Sequence, residues 1–83
     1  MSRRRSMEVI EQAEYVTIGE LARLTDVRYS TLKFYTEEGM LEFEQGGENL
    51  TRRYKRPESV ARVRRIKELR GQWLTIPEVK AAL

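Results

Sequence analysis

Between residues 17 and 41, apolar side chains recur at helical spacing in two blocks separated by only a few residues. In the first block Ile18, Leu21 and Ala22, with Leu24 alongside, follow the i, i+3, i+4 rhythm of one buried face. Thr17 stands three residues before Glu20, the capping-box spacing in which hydroxyl and carboxylate each satisfy a backbone N–H at a helix start. A helix over about 18–24 follows. Thr25 and Asp26 compete for backbone hydrogen bonds and mark a turn, which Val27 plugs into the core. The second block predicts a helix over 29–38, closed by Gly39 in the left-handed conformation. At about 100° per residue Leu32 and Tyr35 share its inner face, whereas Tyr29, Ser30, Lys33, Phe34 and Glu37 project around the other side. Two capped segments joined this tightly read as a helix-turn-helix, with the outward set as its candidate reading face.

After it, Met40, Leu41 and Phe43 alternate imperfectly up to Gly46 and Gly47, with Glu48 and Asn49 following. The run 50–55 comes next. Two extended runs around a glycine-rich turn predict a β-hairpin, too small to stand alone and therefore leaning on the helices as a wing. Glu42, Glu44 and Glu48 make its tip acidic, and Arg52, Arg53, Lys55 and Arg56 reverse the sign on the descending side.

Pro57 suits the first turn of a further helix, and Glu58 complements its positive end. Val60, Val63, Ile66 and Leu69 recur every third residue, so the apolar stripe drifts and covers a broad face able to meet two neighbours. Gly71 is expected to end this helix, with Trp73 and Leu74 closing the core behind it. A base-stacking role for Trp73 is the alternative, set second because a lone Trp in a small domain is usually core. Thr75 and Glu78 repeat the capping-box spacing, with Pro77 in the first turn, and predict a last short helix over about 76–83 with Ile76, Val79 and Leu83 inward.

Residues 1–14 are polar apart from Met7, Val9, Ile10 and Ala13, and predict a flexible arm or a short helix. Arg3, Arg4 and Arg5 then serve either as a phosphate- or minor-groove-contacting arm or as a solvated terminus. Met7, Val9 and Ile10 alternatively cover a subunit contact.

Composition narrows the chemistry. A chain of 83 residues makes one domain with a small core, organised here as an arm over 1–14 and a domain over 15–83. It holds no cysteine and no histidine, which removes disulfides, a Cys/His zinc site, a thiol nucleophile and a histidine base together. No cofactor is expected. The carboxylates are explained by caps and solvated faces, and no phosphate-cradling loop is present, so catalysis is the least favoured class. No apolar run approaches the roughly 20 residues that span a bilayer, so no membrane partner is expected and the cytoplasm is the default compartment. The net charge of +3 says little alone, but residues 52–70 hold nine basic and two acidic side chains.

The order TIGELARLTDV, TLKFYTEEGML, RRY, a long helix and a second Thr-capped helix resembles the winged-helix DNA-binding domain of MerR-family transcription regulators, over residues 15–83. The resemblance implies a mostly α fold of about four helices with a small β-hairpin wing. It also implies duplex DNA bound by a dimer, with the second helix in the major groove and the wing on the backbone. Lys33 matches a basic position of that family, Phe34 and Tyr35 its paired tyrosines, and Arg52, Arg53 and Tyr54 its wing motif. Ser30 replaces a common DNA-contacting arginine, and Arg28 a common capping serine. Single-residue insertions fall between Tyr54 and Val60 and between Gly71 and Thr75. The sequence stops at Leu83, where such regulators continue into a dimerising helix and an effector domain. A fragment and a small stand-alone protein both fit.

The leading expectation is sequence-selective binding to double-stranded DNA for transcription regulation, as a homodimer or a cooperative assembly. Arg52, Arg53, Lys55 and Arg56 would neutralise phosphates. Tyr29, Ser30 and Lys33 would reach base edges, and the helix opening after Thr17 would grip a phosphate. The other readings are an excisionase-like or architectural factor on repeated sites, and a protein-interaction adaptor using Phe34, Tyr29 and the acidic wing tip.

Overall fold

In a computed structural model, which describes residues 4–47 and 51–83, the chain runs α1 (Met7–Gln12), β1 (Tyr15–Val16), α2 (Ile18–Thr25), α3 (Tyr29–Glu37), β2 (Tyr54–Lys55), α4 (Arg56–Gly71) and α5 (Ile76–Ala82). Arg3 and the expected turn residues Glu48, Asn49 and Leu50 lie outside the described residues. Among those described, no helix is long and apolar enough to cross a membrane.

The helix-turn-helix forms as the apolar pattern predicts. Both halves of the Thr17–Glu20 capping box are present, and Asp26 closes α2 in the left-handed region, with φ 56°. Leu21 and Leu32 are fully buried, and Ile18, Ala22, Leu24 and Val27 pack against the same core. At the end of α3, Gly39 has φ 76°, its N–H bonds the Thr36 carbonyl, and the Met40 N–H reaches back to Tyr35. These two bonds satisfy carbonyls that the helix leaves open, in the Schellman arrangement. The same turn delivers Met40 and Leu41 into the core.

That delivery changes the expected wing. Two consecutive inward residues break the two-residue period of a strand, so no regular ladder runs through 40–45. Among the described residues the wing closes instead through one antiparallel rung, Glu44 with Arg53, whose two backbone bonds are each 2.8 Å. The regular pairing of β2 is with β1, antiparallel, Tyr15 opposite Lys55 and Val16 opposite Tyr54. The two residues ahead of the Thr17 cap are thus the missing strand.

Helix α4 buries Val63, Ile66 and Leu69 against α2 and α5, and Val60 packs at the edge. Pro57 sits in its first turn as expected. Its end differs from expectation. Gly71 is still helical, Gln72 is the cap, and the left-handed position after it falls to Trp73, with φ 65°. Trp73 is 94% exposed, so the core is closed by Leu74, Ile76, Val79 and Leu83 without it. With the helix running on through Gly71, the bulky Trp73 side chain takes the left-handed place usually given to glycine.

Of the two readings of the amino-terminal segment, the structure forms the short helix, α1. It raises the count to five helices among the described residues. Ser6 caps α1, Ile10 is fully buried, and the guanidinium of Arg5 grips Glu20 through two bonds of 2.7 Å. Arg23 donates to the Arg5 carbonyl, and Arg56 donates from its side chain to Ala13 and from its backbone to Glu14.

Candidate nucleic-acid interface

Because Leu32 and Tyr35 turn inward on α3, Tyr29, Ser30, Lys33, Phe34 and Glu37 all face solvent. Tyr29 is 55% and Phe34 43% exposed, high values for aromatics, left uncovered by the described residues. Arg28 is the residue before the helix; it is exposed, and its side chain, which has no oxygen to accept a backbone N–H, makes no capping bond.

Tyr35 and Tyr54 do not belong to this surface. Tyr35 is 7% exposed and Tyr54 fully buried, and the Tyr54 hydroxyl bonds Thr36 at 2.9 Å, so both rings serve packing. The Tyr54–Thr36 bond ties α3 to the strand that carries the wing cations. Thr17 is likewise occupied: its N–H donates to Glu20 at 2.9 Å and its hydroxyl accepts from the Glu20 N–H. Arg56 is half-buried, and its Nε is spent on Ala13, so it acts as a clasp for the amino-terminal segment.

The wing presents Arg52, Arg53 and Lys55. The Arg52 guanidinium lies 4.6 Å from the centre of the Phe43 ring, and Arg53 lies 4.7 Å from that of Tyr15. Stacking on a ring face fixes a guanidinium while leaving its N–H edge free for an anion. The Phe43 ring in turn leans on Tyr54, at 6.4 Å. The Glu44 carboxylate faces the Tyr15 hydroxyl, and this interaction, with desolvation, raises the Tyr15 pKa.

Sequence reasoning missed the ring-platform roles of Tyr15 and Phe43, and it gave Arg5 to a contacting arm or solvated terminus where the structure pairs it with Glu20. Tyr15 and Val16 carry strand propensity, yet two residues are too short a signal. The Arg5–Glu20 pair spans fifteen positions with no periodicity to reveal it.

Glu20 holds this junction together. Its bond from Arg5, followed by that from the Thr17 N–H, outweighs desolvation and lowers its pKa to about 2. A folded-state pKa below the ordinary carboxylate value means stability that is complete above about pH 5 and disappears as pH falls toward 2. With Arg5 partly exposed and screened, Glu20→Gln is expected to cost about 2 kcal/mol at pH 7 and close to nothing near pH 2. Urea unfolding of both proteins across that range checks it.

An outward polar-aromatic helix, a preceding packed helix and a cationic wing define a winged helix-turn-helix DNA-binding domain. Residues 16–83 match the family model described as MerR HTH family regulatory protein, and the chain belongs to that family. No curated protein and no solved structure matches the chain. Members are DNA-binding transcription regulators, and double-stranded DNA is the partner this domain takes. Helix α1 and Arg5 lie outside the matched residues.

Proposed function

We propose that α3 enters the major groove of a regulatory DNA site while the wing holds the adjoining backbone, in a cytoplasmic regulator that works as a homodimer or a cooperative assembly. The observation that carries this reading is the exposed face of Tyr29, Ser30, Lys33 and Phe34, tied through Thr36 and Tyr54 to the strand bearing Arg53 and Lys55. Lys33 donates to guanine O6 or N7, and Ser30 donates or accepts with little selectivity. Arg28 sits at the edge of this face as a further cation. Arg52, Arg53 and Lys55 neutralise phosphates and fix the register without reading sequence.

The two kinds of contact separate by mutation. Lys33→Ala is expected to change which sequence is preferred, with a discrimination loss of about 1–3 kcal/mol at one or two positions and little change in salt dependence. Selection from a randomised duplex pool checks this. An unchanged preference would remove Lys33 from the reading face.

A further inference from the structure

Two exposed patches are left without a role by the fold and by the proposed DNA contacts, and they carry opposite charge. The first is on α1, where Met7 and Val9 are 41% and 50% exposed beside Glu8 and Glu11. Neither carboxylate has a cationic partner among the described residues, and the helix carries no basic residue in its last turn. The second is the turn between α4 and α5. There Trp73 combines two costs, a left-handed backbone that a bulky residue rarely takes and a ring almost wholly in water. The turn is braced: the Arg70 side chain donates to the Leu74 carbonyl at 2.8 Å, and the Thr75 cap follows directly. Arg70 supplies positive charge there, and Lys67, one turn earlier on α4, donates to the Thr25 carbonyl at 3.5 Å; neither has a carboxylate partner among the described residues.

The two patches belong to opposite ends of α4. The carboxyl end of α1 is clasped by Arg56, the first residue of α4, whereas Trp73 follows its last turn, about 24 Å away along a 16-residue helix. One molecule therefore cannot satisfy both patches by itself, but two copies can.

We propose that α1 of one molecule docks on the Trp73 turn of a second copy, head to tail, with Glu8 and Glu11 against Lys67 and Arg70 and the tryptophan ring against Met7 and Val9. Such a contact is heterologous and does not close, so it propagates along neighbouring DNA sites. One short helix on one turn buries far less than the ~1,600 Å² of a standard interface, so the dissociation constant in solution is on the order of 0.1–1 mM. On adjacent DNA sites the millimolar effective concentration of bound neighbours makes so weak a contact sufficient. The inference goes beyond the proposed groove contacts and does not depend on them.

The test is sedimentation of the whole chain, without DNA, from about 10 μM to about 1 mM. Trp73 is the sole tryptophan, so its emission reports the contact directly. The wild type is expected to gain mass continuously with concentration while its emission shifts to the blue. Trp73→Ala and the double variant Glu8→Lys/Glu11→Lys are each expected to weaken association by at least about tenfold. All three positions are exposed, and circular dichroism confirms that each variant is folded. Mixing the two variants decides the matter, because each retains the half that the other lacks: a 1:1 complex that grows no further is expected. A monomeric mixture, variants that associate like the wild type, or emission that ignores protein concentration and shifts only with duplex DNA would overturn the proposal.

Discussion

Replacing Arg52 and Arg53 together with alanine is expected to weaken binding to duplex DNA of any sequence by roughly 10- to 100-fold, and to lower the slope of log K against log salt by about 2. The magnitude follows from what the two side chains do. Both are on the wing, each lies against an aromatic face, and neither is paired with a carboxylate among the described residues. Each phosphate neutralised releases close to one counterion, so two lost contacts remove about two units of slope. A single ring substitution, Phe43→Ala, leaves the charges in place and frees Arg52, so it is the milder control. Fluorescence anisotropy titrations at several salt concentrations read affinity and slope together. An unchanged slope in the double variant would place the phosphate contacts elsewhere.

The second large effect concerns stability. Ile10→Ala is expected to cost about 2–4 kcal/mol, a large share of the 5–15 kcal/mol that holds a typical domain together. A side chain in a loose arm would cost nothing when truncated. Ile10 instead sits fully buried among Val16, Leu21 and the rest of the single core. It is held there from both sides, by Arg5 on Glu20 and by Arg56 on Ala13. Urea unfolding measures the change in midpoint, and an effect under about 0.5 kcal/mol would show that the segment contributes nothing to the fold.

These two cases show what could be read along the chain and what could not. Local chemistry was legible: the capping boxes at Thr17 and Thr75, the left-handed Gly39, Pro57 in its first turn, and the outward set on α3 all rest on neighbours within four residues. Charge segregation pointed to the cationic wing for the same reason. Features set by distant partners were not legible. Arg5 finds Glu20, Arg53 finds Tyr15, and Tyr54 finds Thr36 across fifteen or more positions, and no period marks such pairs. Tyr35 and Thr17 differ from these: periodicity turns Tyr35 inward and spacing makes Thr17 a cap, although the family motif groups both, with the buried Tyr54, among the contact residues. Trp73 fails for another reason. Composition favours a lone tryptophan in the core, whereas the α4–α5 turn gives Trp73 the left-handed position after the helix and leaves its ring on the surface. The amino-terminal segment reads as an arm or a helix because six residues are too few to form a helix without tertiary support, and that support comes from α2 and from Arg56 of α4.

The central claim is that α3 and the wing together form the DNA-contacting surface. Titrating the isotope-labelled protein with a short duplex selected for binding, and following every backbone amide by NMR, tests it directly. The expected shifts concentrate on Tyr29, Ser30, Lys33 and Phe34 and on Arg52, Arg53 and Lys55, while the buried core positions Val63, Ile66 and Val79 stay in place. Shifts that miss α3 and the wing, and fall instead on the outer face of α4 or on α5, would contradict the account.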